Sequence, residues 1–250
     1  MENKKERDIS TRASVALAAY NGEKFIKEQI DSILDMMNQN DELVISYDES
    51  SDKTWQIISE YSNKDKRVKV YKDKGKGLES NFNNAVEHCN GKYIFLADQD
   101  DVWINNKINV MIAYMQKTGA KVLICDGYET DENLKKLYGL YQKYRTTESP
   151  FKNYVKGSYL GCQMAFSADI KDQIWPVNEN PPIAHDLWLG ILGAYYGKVI
   201  MINDKLMYHR LHGDNYTYTS KMSLFNVIKN RIYFASSIIK RIKKNGKKKK

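Results

Sequence analysis

Three acidic residues within four positions form the cluster in this sequence that most clearly could do chemistry. Asp98, Asp100 and Asp101 follow the apolar run at 92–97. Carboxylates this close repel one another unless a cation neutralises them, and in an extended segment Asp98 and Asp100 point to the same side. Oxygen ligands of this kind suit Mg²⁺ or Mn²⁺, which complete their shell with water and phosphate. A solvated acidic turn that caps the next helix is the alternative interpretation.

The elements that must position this cluster alternate between strands and helices. Strands are predicted at 14–19, 42–46, 67–71, 92–97 and 121–125, and helices at 23–38, 53–62, 79–89 and 104–117. This order predicts an α/β fold with a mostly parallel sheet and helices on both faces. Ligands bind beyond the carboxyl ends of the strands in such sheets, and the polar segments 18–23, 47–52 and 98–101 fall there.

Composition narrows the class of protein. The 250 residues are 42% hydrophobic and 28% charged, which excludes a disordered chain. The cysteines Cys89, Cys125 and Cys162 are far apart and odd in number, which excludes a disulfide scaffold and fits a reducing compartment. Residues 1–12 are polar and no window approaches 18 apolar residues, so we expect neither a secretory signal nor a membrane-spanning helix.

The positive charge is concentrated at one end of the chain. The net charge is +8, but residues 221–250 hold 11 Lys and Arg and no acid, leaving 28 bases against 31 acids before them. Helical spacing predicts that eight apolar residues in the tail lie on one face of a helix: Leu224, Val227, Ile228, Ile232, Ala235, Ile238, Ile239 and Ile242. We therefore expect one domain over 1–220 and an amphipathic, membrane-associating tail over 221–250, suited to an anionic surface. A helix packed on the domain is the alternative.

Seven motifs in order over about 13–216 resemble glycosyltransferase family 2, the inverting enzymes of the GT-A fold. They are Ala18-Ala-Tyr-Asn-Gly-Glu23, the segments 47–52 and 93–103, Gly77 with Asn81-Phe82, and the segments 161–166, 185–188 and 208–215. The Asp-Gln-Asp-Asp-Val-Trp form at 98–103 looks most like the bacterial rhamnosyltransferase-type branch. Tyr47, Glu49, Lys53 and Ala18 depart from the family pattern, which affects the expected nucleotide preference.

The resemblance implies a role for particular residues. Asp186 matches the catalytic base, and Asp100 matches the metal ligand, with His212 as a second candidate ligand. The residues expected at the nucleotide are Ala18, Tyr20, Asn21, Glu23, Asp48, Asp98 and Arg210. The residues expected near the sugar or acceptor are Gly161, His185, Trp188 and Asp101.

Several of these residues also fit a purely structural role. Asp186 follows two prolines and precedes an apolar run, so it also fits a helix start. A packing role is favoured for His185 and for Trp188, and His212 equally fits a loop histidine bound to backbone.

The resemblance implies a Mg²⁺- or Mn²⁺-dependent inverting transferase. The donor would be a dTDP- or UDP-linked sugar, with L-rhamnose as one candidate, and the acceptor a lipid-linked oligosaccharide of a cell-surface glycan. The expected location is cytoplasmic, peripheral on the inner face of the membrane. The alternative is a catalytically degenerate nucleotide-binding or scaffold protein. A nucleic-acid partner is not expected, because the body is acidic and lacks a basic groove. The sequence leaves the oligomeric state open.

Overall fold

The computed structural model describes residues 11–178, 183–213 and 224–247. In the first half, strands and helices alternate in the predicted order. They are β1 (Ala13–Ala19), α1 (Ile26–Leu34), β2 (Asp41–Tyr47), α2 (Thr54–Lys64), β3 (Val68–Lys72), α3 (Leu78–His88) and β4 (Tyr93–Asp98). The predicted element types of this half are therefore confirmed, with small differences at their ends.

The second half is less regular, and β4 is followed by more strands than the sequence pattern indicated. Its elements are β5 (Val102–Trp103), α4 (Lys107–Thr118), β6 (Val122–Thr130), β7 (Lys136–Gly139), α5 (Leu140–Tyr144), α6 (Pro150–Lys156), β8 (Met164–Ser167), α7 (Lys171–Ile174), α8 (His185–Tyr196), β9 (Val199–Arg210) and α9 (Leu224–Lys247). β6 extends past its predicted end because the buried Asp126 and Glu129 pair with lysines of neighbouring elements, which conceals a strand among polar residues.

One nine-stranded sheet joins both halves, in the order β3-β2-β1-β4-β8-β6-β9-β5, with β7 beside β6. The first four strands are parallel to one another. β8 runs antiparallel to both β4 and β6, and β6 is parallel to β9. The sheet is therefore parallel where the family motifs begin and mixed beyond β4.

Apolar side chains cover both faces of the sheet. Successive residues of β1 point to opposite faces, as the strand period requires. Val15 and Leu17 join a cluster with α1 and α4, whereas Ala16 and Ala18 join a second cluster with α3 and α8. This double burial fixes the sheet register and hence which residues reach the edge beyond the carboxyl ends of the strands.

Helix α9 packs on the domain rather than forming a separate tail. Phe234 is buried in the second cluster, where its ring lies 6.1 Å from that of Trp188, and Ile238 and Ile242 pack against the same cluster. The opposite side leaves Ile228, Ile232 and Ile239 exposed by 52%, 65% and 53%. Among the apolar positions whose side chains are described, Ile238 and Ile242 thus face the domain, whereas Ile228, Ile232 and Ile239 face away from it. Within the described ranges, no helix is both long and apolar enough to cross a bilayer.

Candidate active site

The carboxyl ends of three parallel strands bring the predicted nucleotide residues to one edge of the sheet. Ala18 of β1 pairs in register with Ser46 of β2 on one side and with Asp98 of β4 on the other. The residues that follow, Tyr20 and Asp48, therefore meet at this edge. The Tyr20 side chain is 53% exposed there, which leaves its ring available to a ligand, whereas Ala18 itself is buried.

A glutamine that the sequence analysis did not single out ties this edge together. Gln99 accepts a hydrogen bond from the Tyr20 N–H at 2.9 Å and donates one to the Tyr20 carbonyl at 2.7 Å. A Cβ on Gly22 would lie 2.3 Å from the Gln99 side-chain oxygen, so the glycine leaves room for this contact. The only sequence signal for Gln99 is its place between Asp98 and Asp100.

Asn21 and Glu23 bind a neighbouring loop, so they shape the edge from the side. The Asn21 side-chain oxygen accepts a hydrogen bond from the Ser51 N–H at 2.9 Å. The Glu23 carboxylate accepts one from the Lys53 N–H at 3.0 Å. Both predicted nucleotide residues are therefore engaged with protein groups, because the loops after β1 and β2 lie side by side.

Asp48 lies between two loops of the same edge. Its carboxylate accepts a hydrogen bond from the Gly77 N–H, just before α3, at 3.3 Å, and one from the Glu49 N–H at 2.8 Å. Tyr47, which departs from the family pattern, accepts a hydrogen bond from the Ser50 N–H through its hydroxyl at 3.0 Å. Asp48 is partly buried beside the exposed Tyr20, where a nucleobase would meet both.

The acidic cluster stands at the end of β4 with a histidine beside it. The Nε2 atom of His212 lies 2.7 Å from the Asp100 carboxylate, so the structure brings the two candidate metal ligands together. Burial, together with the negative charges of Asp101 and Asp100, raises the pKa of Asp98 to about 8. Burial is the larger cause of this rise, and the repulsion from the two neighbouring carboxylates adds to it.

These donor types fit a divalent metal. Asp100 and Asp98 supply carboxylate oxygens and His212 supplies an imidazole nitrogen, a set that Mn²⁺ accepts and that Mg²⁺ accepts in its oxygen part. Two positive charges at Asp100 would offset the repulsion that raises the Asp98 pKa.

Asp101 is buried and supports the cluster from behind, so the expectation that it contacts sugar or acceptor is corrected. Its carboxylate lies 2.9 Å from Nδ1 of His209 and has no exposed surface. Burial alone would lower the pKa of His209, but the Asp101 charge raises it to about 9. Cys162 lies 4.0 Å from the same ring nitrogen, so Asp101, Cys162 and His209 form a buried group. The ion pair gives the buried charges of Asp101 and His209 a partner each.

Arg210 also proves to be a structural support, which corrects its assignment to the diphosphate. Its guanidinium donates to the carbonyls of Asp100 at 3.0 Å and Glu132 at 2.6 Å, and pairs with Glu28. The group also lies 4.6 Å from the ring centroid of Phe25. Its donors are thus directed at protein acceptors that fix the backbone of the metal-binding turn.

Asp186 lies in the first turn of α8 and is partly buried. Burial raises its pKa to about 6, although the Leu187 N–H, which donates to it at 2.5 Å, opposes the rise. The negative charge of Glu79 raises this pKa further and the positive charge of Arg231 lowers it. A carboxylate in this state is ionised at neutral pH and basic enough to accept a proton.

Two observations relate the surroundings of Asp186 to the acidic edge. Glu79 lies in the first turn of α3, directly after the Gly77 that binds Asp48, and its charge acts on Asp186. On the other side, Gly161 adjoins His185, since a Cβ there would lie 2.4 Å from Nε2 of that histidine. The next residue, Cys162, belongs to the group behind the metal-binding turn.

His185 and Trp188 are packing residues, so their expected contact with sugar is corrected in favour of the alternative. The His185 ring lies 4.3 Å from that of Phe82, and burial lowers its pKa to about 4. Trp188 is 1% exposed and donates from its indole nitrogen to the Ile174 carbonyl at 2.5 Å. Gly161 leaves space beside His185. Its contact with the sugar or acceptor stays a prediction.

Comparison with known proteins defines the class. The sequence profile of Glycosyl transferase family 2 matches residues 14–175, which is most of the chain and includes β1 to β4 and the acidic cluster. This chain belongs to Glycosyl transferase family 2 and has the GT-A fold.

Similar proteins are found among bacterial glycosyltransferases. The chain is 31% identical over 185 residues to an Escherichia coli UDP-Glc:alpha-D-GlcNAc-diphosphoundecaprenol beta-1,3-glucosyltransferase, WfaP, covering 72% of this chain and 69% of that enzyme. It is 28% identical over 223 residues to an uncharacterized glycosyltransferase of Rickettsia prowazekii, covering 86% of this chain and 69% of the relative.

Two solved structures share the fold. Staphylococcus aureus TarS 1–349 in complex with UDP-GlcNAc superposes with a TM-score of 0.66 at 20% identity, covering 88% of this chain and 65% of that chain. The mannosyltransferase PcManGT of Pyrobaculum calidifontis, in complex with GDP-Man and Mn²⁺, gives 0.64 at 16% identity, covering 85% and 62%. This chain therefore spans about two thirds of each of these two chains.

Proposed function

We propose that this chain transfers a sugar from a nucleoside diphosphate sugar to an acceptor hydroxyl, with inversion at the anomeric carbon. Asp186 accepts the proton of the hydroxyl as its oxygen bonds to the anomeric carbon. The bond from that carbon to the diphosphate breaks on the opposite side, and the nucleoside diphosphate leaves with the electron pair. Atoms and charge balance, because the proton ends on Asp186 and the negative charge on the diphosphate.

The observation that carries this proposal is that the two candidate carboxylates, Asp100 and Asp186, have unlike environments. Asp100 lies among acids and beside His212, which suits a cation. Asp186 stands apart from that cluster, with a pKa raised by burial to about 6, which suits a base. Glu79 and Gly161 connect the two regions.

The metal assignment rests on Asp100, with Asp98 and His212 beside it. These residues would hold a divalent cation, which would stabilise negative charge on a leaving diphosphate. The chain's own contribution is to fix the turn, through the Arg210 contact to the Asp100 carbonyl and the Gln29 contact to the Asp98 carbonyl at 2.8 Å. Mn²⁺ in the Pyrobaculum neighbour supports a divalent ion as the cofactor.

For the donor we propose a UDP- or dTDP-linked sugar. The exposed Tyr20 ring and the Asp48 carboxylate stand where a pyrimidine base would bind. The names of the Escherichia coli relative and the Staphylococcus complex, which both include UDP, support the UDP class. L-Rhamnose stays a prediction from the sequence resemblance.

For the acceptor we propose a lipid-linked oligosaccharide of a cell-surface glycan, met at the inner face of the membrane. The exposed residues Ile228, Ile232 and Ile239 lie on one stripe of α9, since they are four and seven positions apart. Exposed lysines, Lys240 and Lys243, lie beside the stripe. An apolar stripe with a basic border suits the surface of an anionic bilayer.

Nucleotide binding tests the enzyme assignment. We expect UDP or dTDP with Mn²⁺ to raise the unfolding temperature, because a ligand that binds only the folded state stabilises it. Asp100→Ala removes the metal-dependent part of this rise. Asp186→Asn retains it and lowers kcat by about 10²–10⁴-fold, the usual contribution of a general base. Near-normal turnover of Asp186→Asn would reject the base assignment.

Liposome sedimentation tests the membrane assignment. The triple replacement Ile228→Ser, Ile232→Ser and Ile239→Ser removes the exposed stripe and leaves the buried Phe234 in place. We expect it to abolish binding to anionic vesicles with little change in unfolding temperature. The single replacement Phe234→Leu is the control, which lowers the unfolding temperature and retains vesicle binding. Undiminished binding of the triple variant would reject the stripe as the membrane surface.

A further inference from the structure

Arg231 on α9 is a partly buried cation that the mechanism above does not use. One of its terminal nitrogens would lie 3.2 Å from a Cβ on Gly157, so the glycine leaves space for the guanidinium. The guanidinium carbon lies 5.8 Å from the Tyr154 ring centroid, and the Tyr154 hydroxyl donates to the Arg231 carbonyl at 2.8 Å. These contacts with α6 fix the position of the residue.

The guanidinium of Arg231 has no hydrogen-bonded or ion-paired acceptor among residues 11–178, 183–213 and 224–247. Arg241, on the same helix, differs in this respect, because it donates to the carbonyls of Trp175 and Pro176. A partly buried guanidinium without an acceptor has lost some hydration and gained no hydrogen bond in return. Such a group is suited to an anionic ligand, since its planar fork matches phosphate oxygens.

Arg231 lies on a helix that packs against α8, the helix that carries Asp186. Phe234, one turn along the same side of α9, packs on Trp188, which is two residues beyond Asp186. The positive charge of Arg231 lowers the pKa of the Asp186 carboxylate, so the two groups interact electrostatically. The donor diphosphate belongs at Asp100 in the proposed function. An anion at Arg231 is therefore part of the acceptor.

The place of Arg231 on the helix favours an acceptor that is joined to lipid through phosphate. By helical spacing, Arg231 lies between the side that packs on the domain, at Phe234, and the exposed stripe, at Ile228 and Ile232. If the stripe enters the headgroup region, Arg231 lies at the level of lipid phosphates. An acceptor sugar attached there would extend from the phosphate towards Asp186.

We propose that Arg231 binds the phosphate or diphosphate group that links the acceptor glycan to its lipid, while Asp186 receives the proton of the acceptor hydroxyl. This assignment rests on the proposed glycosyl transfer for its context. It makes α9 part of the active site as well as a membrane-facing helix. Specificity for a charged, lipid-linked acceptor over a neutral glycan follows from this contact.

Direct binding of a short lipid diphosphate tests the proposal without donor or turnover. Geranyl diphosphate and geraniol are titrated calorimetrically against the full chain in EDTA, which prevents metal from recruiting the diphosphate to Asp100. We expect geranyl diphosphate to bind, and Arg231→Gln to weaken it by about tenfold or more, the usual effect of losing a hydrogen-bonded charge. Lys229→Gln, which removes an exposed charge two residues away, should change the affinity less than twofold. Geraniol should not distinguish the three proteins.

Two results would overturn the proposal: no binding of geranyl diphosphate to the wild type, or equal affinity for wild type and Arg231→Gln. If Arg231 instead acts only on the base, Arg231→Gln leaves the affinity for geranyl diphosphate unchanged. It then shifts the acid limb of the kcat profile to higher pH, because the Asp186 pKa rises when the positive charge is removed. Arg231→Lys provides a folded comparison that keeps the charge without the fork and should lose part of the affinity. Failure of the proposed function would appear separately, as absence of a UDP- and Mn²⁺-dependent rise in unfolding temperature.

Discussion

Replacement of Arg210 by methionine separates the structural role that we assign to this residue from the diphosphate contact that its sequence position suggested. Methionine keeps much of the apolar stem and removes the guanidinium. The lost contacts are those to the carbonyls of Asp100 and Glu132 and to the Glu28 carboxylate. Arg210 is 4% exposed, so water replaces these contacts poorly.

The magnitude follows from the number and setting of these contacts. Hydrogen bonds to charged groups contribute about 1.5–3 kcal/mol each, and removing one partner of a buried pair costs about 3–5 kcal/mol. The Glu28 side chain is 51% exposed, so its pairing counts for less and we place the total near 3 kcal/mol. For a chain of this size that corresponds to a fall of about 6–12 °C in unfolding temperature.

Urea unfolding and calorimetric UDP titration with Mn²⁺ provide the assay. We expect Arg210→Met to lower the free energy of unfolding by about 3 kcal/mol, and Glu28→Gln to lower it by about 1 kcal/mol or less. UDP affinity should fall only as far as the loosened turn weakens metal binding. Wild-type stability in Arg210→Met, combined with a large loss of UDP affinity, would refute the structural role and restore the diphosphate contact.

Three further predictions concern the edge and the base. The wild-type kcat should fall below pH 6, because burial raises the pKa of Asp186 to about 6 and a protonated base is inactive; a rate profile with its acid limb near pH 4 would contradict this. His212→Gln should weaken Mn²⁺-dependent UDP binding about tenfold in calorimetry, since its Nε2 atom lies 2.7 Å from Asp100; unchanged affinity would remove it from the metal site. Gly22→Ala should weaken UDP binding, because its Cβ would displace Gln99, whereas Gly246→Ala, with open space around it, should leave titrations unchanged.

The order of elements and the edge that carries the site could be predicted because both depend on local pattern. An apolar run that ends in polar residues predicts a strand and its carboxyl end, as at 14–19 and 92–97. Parallel strands then bring those ends together, so Asp48, Asp98 and Tyr20 meet at one edge without further information. The strands beyond Cys125 are harder to predict from the sequence, because β6 continues through charged residues.

Other features depended on partners far away in the chain. Asp101 and His209 are 108 positions apart, and Arg210 and the carbonyl of Asp100 are 110 apart, so no spacing rule relates them. The sequence predicts a nucleotide contact for Arg210, but packing directs its donors to protein carbonyls. Gln99 was overlooked for the same reason, since its partners lie 79 positions earlier.

The C-terminal helix shows most clearly which features follow from the sequence and which follow from tertiary packing. Its amphipathic and basic character can be predicted from the sequence, because helical spacing is a local property. Which apolar residues turn inward was decided by the domain surface: Phe234 fills a position against Trp188, which rotates Ile228, Ile232 and Ile239 outward. The same rotation sets the position of Arg231, whose charge lowers the pKa of Asp186. The sequence alone determined that a helix with these residues forms. Tertiary packing decided which residues the helix presents to the active site, because burial of its larger apolar side against the domain sets its orientation.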